Sequence, residues 1–190
     1  YEVFKSLPDK FAEILKKYSK YKKVVFHIPE KIKLDTIDKI KNVLRNNSQE
    51  NIELYIIRVN DNSKFFGYAI NNNSLIPYEG SYVQLSHKEF LLWTEGLNYN
   101  NPTPKKRYGN PLYIDFYYSN QKSIDYKSFL QDILNLSGVI YRGFNAKSLP
   151  VSMYYPKLIS DFYKHYNFSL RRGNKRRCWY SHFVTDDRRS

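Results

Sequence analysis

The chain has 190 residues, room for one domain with a sizeable core. Its 31 Lys and Arg against 18 Asp and Glu leave a formal charge of +13, so a polyanion is the expected partner, nucleic acid ahead of an anionic membrane. The single cysteine, Cys178, excludes an internal disulfide framework, and no apolar run approaches the roughly 20 residues of a bilayer crossing.

No basic-then-apolar leader opens the chain, so the expected setting is cytoplasmic, and the start at Tyr1 rather than Met reads as a trimmed or partial chain. Residues 8–18 place Phe11, Ile14, Leu15 and Tyr18 at helical spacing, with Lys16, Lys17 and Lys20 at the end where a helix dipole favours cations. Residues 24–28 (Val-Val-Phe-His-Ile), closed by Pro29, read as a buried strand of the parallel type. Asp35 stands where an N-cap belongs, ahead of Ile37, Ile40, Val43 and Leu44 on one helical face. A strand over 52–59 completes a βαβ unit.

After Asn60 the texture changes. Asn-rich turns at 61–62 and 71–73 separate short strand candidates at 65–70, 82–85 and 90–94, which suggest antiparallel hairpins added to the sheet. A polar loop over 96–110 carries Lys105, Lys106 and Arg107, a basic cluster suited to phosphate contact, and 112–118 alternates as a strand. Asp125 opens a helix with Phe129, Leu130, Ile133 and Leu134 on one face, and 154–166 forms a last, aromatic-rich helix. Beyond it lies a basic tail with Arg171, Arg172, Lys175, Arg176 and Arg177, dense in charge and free of acids.

The stretch Leu130-Gln131-Asp132-Ile133-Leu134, then 141–150 (Tyr-Arg-Gly-Phe-Asn-Ala-Lys-Ser-Leu-Pro), then Tyr154-Tyr155-Pro156-Lys157-Leu158, resembles the C-terminal part of the PIWI domain of prokaryotic Argonaute proteins. A helix, an Arg-containing turn, a Ser, an apolar-Pro step and a Tyr-Tyr-x-x-Leu helix follow one another in the family's order and spacing. Upstream, Val24-Val25-Phe26-His27 is similar to the strand that active members continue with Arg-Asp-Gly, and residues 79–83 to a Gly-Thr-x-Val strand. The resemblance implies an α/β, RNase H-like mixed sheet flanked by helices, of which residues 1–166 supply the second half, with 167–190 as a basic C-terminal tail.

Slicing in this family needs a carboxylate cluster, completed by Asp or His, that holds two divalent cations. Where the resemblance implies the second Asp, this chain has Pro29, which offers no side-chain oxygen, and Glu30 comes one residue later, turned to the other side of an extended chain. Tyr154 and Lys157 stand near the last ligand position, and neither is a usual ligand for a hard cation. The expectation is a nuclease-inactive domain with no catalytic residues and no metal in this half, Mg²⁺ being allowed only at a guide 5′-phosphate. His27 alone reads as a hydrogen-bonded structural residue, and Cys178 as a thiol without a role.

The resemblance also implies that Arg142, Lys147 and Ser148 meet guide phosphates by a guanidinium fork, a point charge and a hydroxyl. Tyr154 and Tyr155 open the following helix, where a phenol and helix N–H groups reach phosphate. The implied partners are a single-stranded guide and its complementary target, with a separate effector subunit in host defence and no membrane. An active slicer with a metal site rebuilt around Glu30, and an RNase H-like scaffold that binds only protein, stand as alternatives.

Overall fold

The computed structural model describes residues 7–17, 22–46, 52–104, 109–139 and 149–171, without the side chains of 165 and 167–171. It divides into two compact units, Tyr1–Met153 and Tyr154–Ser190.

In the first unit, helix α1 (Leu7–Lys17) precedes strand β1 (Lys23–Ile28), helix α2 (Leu34–Asn46) and strand β2 (Glu53–Asn60). β1 and β2 run parallel, with Val25 opposite Tyr55 and His27 opposite Ile57, as the strand, helix, strand order requires. Three more strands, β3 (Tyr82–Gln84), β4 (Glu89–Leu92) and β5 (Leu112–Ser119), add antiparallel pairs, and the sheet order is β1-β2-β5-β4-β3. The last crossing strand, β5, therefore lies between β2 and the β3–β4 hairpin. A bulge between Ile56 and Ile57 in the β2–β5 pairing shifts the register by one residue of β5.

Alternation assigns the two faces of the sheet. Leu54 and Ile56 of β2 turn to α1 and α2, joining Phe11, Leu15, Ile37, Ile40 and Leu44 in one apolar cluster. The opposite face carries Tyr55, Phe90 and Phe116 against helix α3 (Tyr126–Gly138), whose Phe129 lies 4.5 Å from the Tyr55 ring and whose Tyr126 lies 4.8 Å from Phe116. Asp125, at the start of this helix as expected, caps α3 by accepting the Ser128 backbone N–H at 3.2 Å. Helix α4 (Val151–Arg171) starts three residues earlier than the sequence pattern indicated and includes Pro156, which has no N–H for the Ser152 carbonyl one turn back.

Three local expectations are corrected. The strand expected at 65–70 does not form: Phe65, Phe66, Tyr68 and Ile70 are exposed, and only an isolated bridge from Ala69 to Ser74 and a 3₁₀ turn at Ile70–Asn72 occur. Gly67 lies so close to Pro77 and the Trp93 ring that a side chain would collide, so this segment packs as a fitted loop. Asp35 falls inside the first turn of α2, because the helix already begins at Leu34 with Thr36 and Ile37 bonded to the Lys33 carbonyl. β1 is at the end of the sheet and mostly half-buried, since its apolar run faces a helix on one side only.

Candidate nucleic-acid interface

β1 ends at Ile28, and Pro29 and Glu30 follow it exposed. A two-cation site does not fit this donor set: Pro29 stands at the implied ligand position, and among the described residues no three His, Cys, Asp or Glu side chains come together.

Two residues before Pro29, within β1, is His27. Its Nδ1 lies 2.7 Å from the Ser152 hydroxyl, at the start of α4 and 125 residues away in sequence. Burial holds the imidazole below its ordinary pKa of 6.5, against the opposing pull of the Asp132 carboxylate on α3. The ring is thus neutral at pH 7, and Nδ1 accepts the Ser152 hydroxyl in the tautomer protonated on Nε2 and donates to it in the other. These groups, with Val25, Phe129, Asn135 and others, line a cleft of about 540 Å³ between β1 and α3. The sequence reading of His27 as a hydrogen-bonded structural group agrees with this geometry. Its partner was not legible, because a serine so distant in sequence carries no local signal.

Tyr154 and Tyr155 do not open the helix as expected, because α4 already begins at Val151; they stand three and four residues into it, both half-buried, with ring centroids 5.5 Å apart at 72°. Edge-to-face packing fixes the two phenols relative to one another. Arg171 is the last residue of α4, and its side chain lies outside the described residues. Arg142, Lys147 and Ser148, the loop cations Lys105, Lys106 and Arg107, and the tail cations Arg172, Lys175, Arg176 and Arg177 also lie outside the described residues, as does Cys178.

Elsewhere on the sheet, sequence reasoning missed a charged ladder. Arg58 on β2 pairs with Asp115 on β5 at 3.2 Å, Arg58 caps the Tyr113 ring at 4.9 Å, and the Tyr113 hydroxyl donates to Glu89 on β4. Asp115 is pushed up by burial despite the Arg58 and Lys31 charges, whereas the Tyr113 hydrogen bond holds Glu89 down. Such a ladder is built by strand register, Arg58 opposite Asp115 and Asp115 opposite Glu89, which single residues in sequence do not reveal.

No protein-family model matches the chain. A Piwi protein of Archaeoglobus fulgidus is 29% identical over 146 residues, which is 72% of this chain and 33% of that protein. Among solved structures, Clostridium butyricum Argonaute bound to a guide DNA and a 19-mer target DNA superposes with a TM-score of 0.54 at 22% identity, over 81% of this chain and 19% of that one. The C-terminal lobe of a budding yeast Argonaute superposes with a TM-score of 0.56 at 15% identity, over 81% of this chain and 36% of that one. The chain thus spans about a third of the length of its curated relative. The resemblance to the C-terminal PIWI part of Argonaute proteins, read from the residues, is borne out, and the mixed sheet with flanking helices is the fold those proteins share.

Proposed function

We propose that this chain is the C-terminal part of a nuclease-inactive Argonaute PIWI domain that holds a guide strand and its paired target by phosphate contacts. The observation that carries the reading is the likeness to the Piwi protein and to an Argonaute bound to guide and target DNA. A charge of +13 supports it, because binding a polyanion is dominated by phosphate neutralisation and counterion release. Inactivity is supported by Pro29 at the implied ligand position. In this reading base pairing between guide and target supplies the sequence specificity, and the protein recognises backbone and duplex shape. A protein of this kind acts in prokaryotic host defence by sensing a target and passing the signal to a separate effector subunit.

Arg142, Lys147 and Ser148 carry the guide contact, with Tyr154 and Tyr155 beside them in sequence. Replacing Arg142 and Lys147 together by Ala is expected to weaken guide binding at least severalfold and to lower the steepness of its salt dependence by about two counterions. Wild-type affinity and an unchanged salt slope in that double variant would remove the site assignment.

A further inference from the structure

Two glycine-dependent loops of the first unit mount an aromatic stack that none of the residues discussed above uses. Tyr78 and Tyr99 lie nearly parallel, 4.6 Å between centroids at 16°. The outer ring, Tyr99, is 70% exposed, whereas Tyr78 is half-buried and anchored by donating to the Asn72 amide oxygen at 2.9 Å. The backbone beneath is held on both sides: the Glu79 N–H donates to the Leu97 carbonyl at 3.0 Å, and the Leu97 N–H donates to the Pro77 carbonyl at 2.9 Å. At Gly96 any side chain would collide with the backbone of Pro77 and Glu79, so the two loops approach as closely as a glycine permits.

Beside Tyr78 opens a cleft of about 330 Å³, with Tyr68, Asn71, Asn72, Pro77 and Ser81 in its wall. This is within the size range of small-ligand sites, about 300–1,000 Å³. Tyr78 donates to the Asn72 amide oxygen, which leaves the amide NH₂ of this cleft-lining asparagine as a donor, while Tyr68 is held by donating to the amide oxygen of Asn73, outside the cleft lining, at 3.0 Å. Asn73 adopts the left-handed conformation, φ 47°, that closes the turn carrying these amides.

We infer that the Tyr99–Tyr78 stack and the adjoining asparagine-lined cleft form a subsite for an unpaired base of a single-stranded nucleic acid. The inference rests on the nucleic-acid reading above and adds a recognition mode to it. A flat ring with one face covered by a second ring and the other open is what a base stacks upon, and stacking tolerates any base because each has a π-face. Amide donors beside the ring suit base-edge oxygens and nitrogens, and Ala69, Ile70 and Pro77 in the same wall suit the apolar face of a base. The acid Glu79 follows Tyr78 directly and Glu95 lies four residues before Tyr99, which disfavours phosphate here and assigns recognition to the base. The contribution of the stack is therefore insensitive to salt, unlike that of the cationic contacts.

The test uses the full-length protein and a set of 5′-phosphorylated single strands, each carrying iodouracil at one position, irradiated in the complex and mapped by mass spectrometry. Crosslinks to Tyr99 or Tyr78 are expected. In parallel, Tyr99→Ala is expected to weaken single-strand binding roughly tenfold, by the same factor at low and high salt, with Tyr99→Phe restoring it. Crosslinks only at other residues of a strand that is bound, or wild-type affinity of Tyr99→Ala, would overturn the subsite while leaving the proposed function intact. A loss that vanishes at high salt would also overturn it, by marking the effect as ionic. Failure of the wild-type protein to bind any strand at low salt would overturn both.

Discussion

His27 sits between a burial cost that keeps its ring neutral and the Asp132 carboxylate that favours the charged form, and burial is the larger effect. Because the folded ring resists a proton that the unfolded chain takes up at about 6.5, the unfolded state binds more protons in the window just below that value. The stability contributed by this residue is therefore present above pH 6.5 and is lost as the pH falls through the lowered folded pKa. Urea melts over a pH series are expected to show the decline in the wild type and a flatter profile in His27→Gln, and the same decline in both would contradict the assignment. Arg58 offers a second residue-scale test. Removing it by Arg58→Ala leaves the Asp115 carboxylate poorly solvated and without its partner, at a cost of about 2 kcal/mol, below that of a fully buried pair because Arg58 keeps a fifth of its surface open. Asp115, already raised by burial, takes a proton more readily once the guanidinium is gone, so the cost shrinks as the pH falls. A penalty that grows in acid would refute this account of the ladder.

At the scale of elements, packing explains which parts of the chain were readable. α2 and β2 were legible because Ile37, Ile40 and Leu44 repeat at helical spacing while 52–59 centres on the apolar run Leu54-Tyr55-Ile56-Ile57, and Leu54 and Ile56 join the helix residues in a single buried cluster. Ile40 is fully buried there, and Ile40→Ala is expected to cost about 3 kcal/mol in chemical denaturation. Residues 65–70 misled for the converse reason: Phe65, Phe66, Tyr68 and Ile70 are β-formers by type, but they face outward and the segment is shaped by Gly67 against Pro77 and Trp93. Likewise the half-buried state of β1 depends on its place in the sheet order, which composition does not encode. Of the candidate site, the structural role of His27 could be read from sequence, whereas the Ser152 partner, the Arg58 ladder and the Tyr78–Tyr99 stack depend on register and loop approach. Two glycines make that dependence measurable. Gly96→Ala forces apart the backbones of the Tyr78 and Tyr99 loops and is expected to lower the melting temperature clearly. Gly138, the last residue of α3, has open space where a Cβ would stand, so Gly138→Ala is expected to be neutral or stabilising by up to about 1 kcal/mol. Equal effects of the two substitutions would contradict the close-approach argument.

For the whole molecule, charge and fold point the same way. The chain carries a charge of +13 on a sheet of the PIWI type, as the proposed binding of polyanions requires, and the end of β1, where the resemblance implies a metal-binding carboxylate, presents Ile28-Pro29-Glu30 instead. Among the described residues no helix is long and apolar enough to cross a membrane. The central claim is that the protein captures a guide and its target without cutting. The measurement that tests it most directly loads the full-length protein with 5′-phosphorylated RNA or DNA guides across a salt series, then adds labelled complementary target with Mg²⁺ or Mn²⁺. The account predicts guide binding that falls steeply with salt, and target that is retained intact. Cleavage of the target at one fixed position, abolished by Glu30→Ala, would contradict it and show that a metal site is assembled around Glu30.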